Sequence, residues 1–154
     1  MSTQNGLNAA IGVATRQRDE AVQALALARQ SWVAMQMQLD QLQTYAQDTD
    51  ARWSPAAGRV STPEFMRHHY QFMQRLDQAI RMQVGVVDAH ARQVEERAVT
   101  LREAEARLDS LQQILKSRAR EQQVVERRRE QKQVDEIAAL QYRRNARGQL
   151  AGGL

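Results

Sequence analysis

Steps of four and three residues from Leu7 land on Leu7, Ile11, Ala14, Arg18, Ala21, Leu25, Ala28, Trp32, Met35, Leu39, Leu42, Ala46, Thr49 and Trp53, and twelve of these fourteen positions are apolar. A stripe that repeats about every 3.5 residues and holds for seven heptads is the pattern of a left-handed coiled coil, not of a helix lying on a globular core. The many alanines on it allow a partner helix to come close. Whatever this chain folds into must supply that partner.

A second stripe further along the chain provides one. Met66, Met73, Ile80, Val87, Val94, Leu101, Leu108 and Leu115 recur at every seventh residue. Leu76, Val84, Ala91, Ala98, Ala104 and Leu111 form a looser companion line with small shifts of register. Between the two stripes, Ser54-Pro55-Ala56-Ala57-Gly58-Arg59-Val60-Ser61-Thr62 is the one cluster of turn residues. Ser61-Thr62-Pro63-Glu64 reads as a helix start, either a capping box from Ser61 to Glu64 or Thr62 as cap with Pro63 in the first turn. A nine-residue connection returns the chain antiparallel, because a parallel partner requires the chain to travel a whole helix length first. The expected fold is all-α. Two long helices, about 5–52 and about 63–145, form one antiparallel coiled-coil hairpin with a bend at about 54–62 and a flexible tail at 146–154. At 1.5 Å per residue the helices are about 70 and 125 Å long, so residues beyond about Lys116 overhang without an internal partner.

Composition agrees. With 42% hydrophobic and 5% aromatic residues there is little material for a round core, and with 7 Gly and 2 Pro nearly every local preference is helical. The chain lacks an apolar run of about 18 residues that could span a bilayer and lacks the basic-then-apolar order of a secretory signal, so it is expected in the cytoplasm. The absence of cysteine excludes disulfides and thiolate metal sites. Residues 116–147 hold ten Lys/Arg against five Asp/Glu, which is +5 of a chain total of +4, so the remainder sums to −1. The overhang is therefore the basic part of the molecule, suited to an acidic protein surface, anionic lipid or nucleic acid.

Catalysis finds no candidates. His68 and His69 point about 100° apart on a helix, and His90 lies about six turns away, so no metal-binding face results. His69 with Met73 pairs a borderline ligand with a soft one and makes no site. Ser31 has no nearby base or glycine-rich elbow, and Gly148 and Gly152-Gly153 lack the Lys-Ser/Thr of a phosphate loop. No cofactor is expected. In the run Glu126-Arg127-Arg128-Arg129-Glu130-Gln131-Lys132 the cations are interleaved with glutamates and no aromatic platform sits among them, so a protein-docking helix is favoured over a nucleic-acid binder.

One stripe near the bend is better suited to binding. Gln38, Leu42, Tyr45 and Thr49 recur at intervals of four, three and four, and Phe72, Leu76, Ala79 and Gln83 repeat the same intervals. Pairing 38 with 83, 42 with 79, 45 with 76 and 49 with 72 gives 121 for every pair, so all eight can lie level on one side of a hairpin. Tyr45 and Phe72 are the side chains expected of interface anchors, whereas Leu42 and Leu76 also fit the seam.

Three stretches resemble the flagellar type III export protein FliJ family. They are Gln38-Leu39-Asp40-Gln41-Leu42-Gln43-Thr44-Tyr45, Tyr70-Gln71-Phe72-Met73-Gln74-Arg75-Leu76-Asp77-Gln78-Ala79-Ile80 and Glu130-Gln131-Lys132-Gln133-Val134-Asp135-Glu136, in matching order and separation. The resemblance implies a two-helix antiparallel coiled coil similar to the gamma-subunit stalk of rotary ATPases. It further implies a non-enzymatic part of the bacterial flagellar export apparatus, cytoplasmic and peripheral to the inner membrane at the flagellar base. The implied partners are the hexameric export ATPase, the cytoplasmic domain of the export gate, and export chaperones. By position, Gln38, Leu42, Tyr45, Phe72, Leu76 and Ala79 match the family's gate-binding stripe. Thr49 and Gln83 depart from it, since an aromatic and a histidine are usual there. The excess charge makes Arg127, Arg128, Arg129, Lys132, Arg143 and Arg144 the expected ring-binding residues. The alternative is a generic coiled-coil scaffold, or an anionic-surface binder using its basic C-terminal helix.

Overall fold

The computed structural model describes residues 2–53 and 62–152, and it contains two helices, α1 (Ser2–Trp53, 52 residues) and α2 (Pro63–Gly152, 90 residues). The first residue of α2 is the proline, whose missing N–H costs nothing at that position and whose fixed φ is already helical. Thr62 caps it. The Phe65 amide donates to Thr62 Oγ1 at 3.2 Å and the Met66 amide to the Thr62 carbonyl at 3.1 Å. Of the two helix starts legible in the sequence, Thr62 is the one observed, and Glu64 in the first turn complements the positive end of the helix dipole. Residues 54–61, most of the expected bend, lie outside the described residues.

Both helices exceed their expected limits. α1 begins at Ser2 and ends at Trp53, while α2 continues past Asn145 to Gly152, so residues 146–152 are helix where a flexible tail is expected. Ala146, Arg147, Gln149, Leu150 and Ala151 are strong helix formers, and one Gly148 among them lowers helix propensity by only about 1 kcal/mol. Residues 153–154 of that tail lie outside the described residues.

Contacts divide the chain into two compact units, one of Gly12–Leu108 and one of Met1–Ile11 with Asp109–Leu154. In the Gly12–Leu108 unit the helices run antiparallel. Met35 meets Gln83, Tyr45 meets Phe72, Asp50 meets His69 and Trp53 meets Phe65, so numbers rise along α1 as they fall along α2. Its buried residues are Ala14 at 1% exposure, Ala21, Leu25, Leu76, Val87 and Leu108 at 5%. The remaining α1 stripe positions of this unit are half-buried, except Trp53, which is exposed. Such partial cover is inherent to two helices, since each seam residue has a neighbour on one side only. In the other unit Leu7 is buried, and Ala10, Ile11, Leu111 and Leu115 are half-buried. From 116 to 145 every residue is exposed, including Val124, Val125, Val134, Ile137, Leu140 and Tyr142. The overhang expected beyond Lys116 is present.

The companion line on α2 differs from expectation at two positions. Val84 and Ala91 are exposed, and Gln83 and His90 occupy the seam in their place. Steps of three and four from Ile80 lead through Gln83 to Val87, and then through His90 to Val94. Val84 and Ala91 sit about 100° further round the helix, so position on the stripe outranks residue type. Gln83 satisfies its amide by donating to the Met35 carbonyl at 3.0 Å and to Gln38 Oε1 at 3.4 Å. His90 Nδ1 and Trp32 Nε1 are buried without a hydrogen-bond partner, a burden of about 1–3 kcal/mol each.

Truncating the seam and truncating the overhang therefore have different consequences. Leu25→Ala is expected to lower unfolding free energy by about 2 kcal/mol, and Val125→Ala to change it by less than about 0.5 kcal/mol, both read by urea titration of the helical circular dichroism signal.

Candidate functional site

Seam positions near the bend are filled from both helices, and the residues flanking them are left on the surface. Leu76 is buried and Leu42 and Ala79 half-buried, so these three belong chiefly to the seam. Gln38 is exposed, as are Tyr45 at 55% and Phe72 at 41%. The two rings meet edge to face, with centroids 6.3 Å apart and planes at 80°, the geometry in which the positive rim of one ring faces the π cloud of the other. Their cross-helix contact holds both rings in place at the surface, which lowers the ordering cost of binding.

The expected level pairing holds at one point and shifts elsewhere. Gln38 does meet Gln83. Tyr45 meets Phe72, and 45 with 72 gives 117, not 121. Trp53 with Phe65 gives 118, Asp50 with His69 gives 119, and Met35 with Gln83 gives 118. The reason is that a stripe spaced four, three, four can slide by one seam step and still match, so intervals alone do not select the register. Ring packing and the Gln83 amide do. Gln83 is half-buried and turned toward α1, which accounts for a polar, non-ionic side chain at that position.

The surface also extends further than the sequence reading placed it. Tyr45, Thr49, Trp53, Phe65, His68, His69 and Phe72 line one shallow hollow. Trp53 and Phe65 pack at 5.4 Å with their planes inclined at 53°, and both are exposed. His69 Nε2 lies 3.7 Å from Asp50 Oδ1 across the seam. Trp53 is the last position of the α1 stripe, and Phe65 lies on neither stripe. The available signal was that aromatics flank the turn cluster on both sides, an arrangement that brings them together in any hairpin. Among the described residues no three His, Cys, Asp or Glu side chains group so as to hold a metal ion.

A second surface of different chemistry lies on α2 beyond the seam. Arg127, Arg128, Arg129, Lys132, Arg143 and Arg144 are all exposed. Consecutive residues advance about 100° around a helix, so Arg127, Arg128 and Arg129 cover about 200° of its circumference, a partial collar whose remaining side carries Glu126 and Glu130. The four ion pairs among the described residues, Arg18–Asp19, His69–Asp50, Arg81–Asp77 and Arg102–Glu95, involve none of these six cations. Among the described residues no helix is long and apolar enough to cross a membrane.

The family profile described as Flagellar FliJ protein matches residues 4–147 of this chain. No curated protein and no solved structure matches it.

The contribution of the aromatic contact can be measured without any partner. A double-mutant cycle of Tyr45→Ala and Phe72→Ala, followed by urea unfolding, is expected to give a coupling of about 0.5–1.5 kcal/mol; independent effects of the two substitutions contradict the contact.

Proposed function

Since the chain belongs to the flagellar FliJ protein family and is thus a component of the flagellar export apparatus, we propose that it acts there as a gamma-subunit-like stalk that couples the export ATPase ring to the export gate. The observation that carries this reading is that α2 holds, on one helix, half of an ordered aromatic surface and a collar of free cations. The aromatic surface of Gln38, Leu42, Tyr45, Phe72, Leu76 and Ala79 serves the cytoplasmic domain of the gate. Tyr45 and Phe72 supply the binding energy, and the half-buried residues set their position.

The collar of Arg127, Arg128, Arg129, Lys132, Arg143 and Arg144 serves the ring. Positive charge over more than half of a helix's circumference complements a socket that wraps it, whereas a flat acidic or lipid surface contacts one side only. Nucleotide hydrolysis remains with the ring, and this chain contributes shape and charge. Export chaperones are further partners in this proposal, and the site of action is the cytoplasmic side of the inner membrane at the flagellar base. The alternative of a generic anionic-surface binder predicts equal affinity for anionic vesicles and for the ring.

Two measurements test it. Tyr45→Ala combined with Phe72→Ala is expected to weaken binding to the gate's cytoplasmic domain by at least about tenfold in calorimetry, with helicity unchanged; full affinity in the double variant removes the gate assignment. Reversing Arg127, Arg128 and Arg129 to Glu is expected to weaken ring binding and flatten its dependence on salt, because screened attraction is what the substitution deletes. Unaltered affinity and salt slope rule the collar out.

A further inference from the structure

α1 carries a second apolar face that its own hairpin leaves uncovered. Between residues 21 and 39 there is a single charged side chain, Arg29. The seam takes one side of this segment through Ala21, Leu25, Ala28, Trp32, Met35 and Leu39. On the other side Val22, Ala26, Val33 and Met37 are exposed, Met37 at 57%, and Leu27 beside them at 64%. Val22, Ala26, Val33 and Met37 follow helical spacing, and a shallow hollow at the middle of the face is lined by Ala26, Arg29, Gln30 and Val33. A solvated helix face is ordinarily charged. This one is built like a seam.

We propose that this face binds the same face of a second copy of the chain, antiparallel, about a two-fold axis close to Gln30. The charge distribution locates the axis. The nearly uncharged window ends at Glu20 on one side and Asp40 on the other, so its midpoint is residue 30. Moving the axis toward either end sets acidic side chains against the apolar stripe. With the axis half a residue from that midpoint, between Arg29 and Gln30, Val22 faces Met37 and Ala26 faces Val33, small opposite large, so the layers interdigitate. Arg29 of one copy then lies beside Gln30 of the other, whose amide oxygen accepts from the guanidinium. Parallel, in-register pairing stacks Arg29 on Arg29 instead and loses that contact. A helix bearing several charges on its docking face would lose their hydration here and find only Arg29 as a counter-charge, which favours a face of the same nearly uncharged composition, that of a second copy, as the occupant.

The strength follows from size. Val22 to Met37 is about 22 Å of helix at 1.5 Å per residue. Covering it twice removes on the order of 900 Å² from water, the range of weak and reversible contacts. The pairing is therefore a concentration-dependent equilibrium, favoured where several copies are gathered together.

Sedimentation velocity over a concentration series tests it on the full chain. The expected result is a monomer–dimer equilibrium with a dissociation constant on the order of 100 µM, weakened at least about tenfold by Val33→Lys, with helicity and melting temperature unchanged. The chain contains no cysteine, so Gln30→Cys is expected to form a disulfide-linked dimer under mild oxidation faster than Glu105→Cys on α2. A wild-type chain that stays monomeric to about 1 mM overturns the proposal. A dimer indifferent to Val33→Lys, or equal cross-linking from the two cysteine variants, overturns it as well by placing the contact elsewhere.

Discussion

Burial of one heptad stripe against another from the same chain is the interaction on which everything else here rests. The chain has too few aromatic and large aliphatic residues for a three-dimensional core, so its apolar area is spent along a line. The buried positions along that line are alanine at Ala14 and Ala21 and leucine or valine at Leu25, Leu76, Val87 and Leu108. Because no large side chain is fully buried among the described residues, stability is distributed over many partly covered positions. The polar seam residues Gln83 and His90 then help to specify alignment. A glutamine that must find the Met35 carbonyl tolerates fewer registers than a leucine would.

The same constraint generates the two candidate surfaces. Where the seam passes the aromatic side chains around the turn, rings that do not fit between the helices are displaced to its flank and pack on each other, as Tyr45 does on Phe72 and Trp53 on Phe65. Beyond Leu115 the residues of α2 up to 145 are exposed, and the six cations Arg127, Arg128, Arg129, Lys132, Arg143 and Arg144 enter none of the ion pairs among the described residues. The aromatic patch and the basic segment are thus both surface that the seam leaves exposed. In the proposed role each is available to a partner because the hairpin has no use for it.

Much of this was legible from spacing. The α1 stripe from Leu7 to Thr49 and the strict heptad line from Met66 to Leu115 are buried or half-buried at every position, and the start of α2 beside Pro63 follows from its capping residues. Two of the departures arise where residue type points away from the stripe and geometry decides. Val84 and Ala91 are more apolar than Gln83 and His90, yet they lie off the stripe. Trp53 is apolar and on the stripe, yet it is exposed beside Phe65. Register was the least legible quantity, since a repeating stripe matches itself after each seam step and only cross-helix contacts such as Tyr45 with Phe72 break the degeneracy. The six residues proposed for gate binding follow from family resemblance as well as from spacing. Spacing alone points to the rings of Tyr45 and Phe72, whereas the pairing of Trp53 with Phe65 is visible only in the fold.

The antiparallel return within one chain is tested most directly by electron-spin distance measurement on two doubly labelled variants, diluted with unlabelled protein. One carries labels at Thr44 and Gln74, the other at Leu27 and Arg92, all exposed positions. Adjacent antiparallel helices predict a short distance, within about 30 Å, for both pairs, from an interaxial spacing of 8–10 Å plus the label arms. A short distance in one pair with a long one in the other, or a short signal that disappears on dilution with unlabelled chain, contradicts the hairpin and with it both docking surfaces.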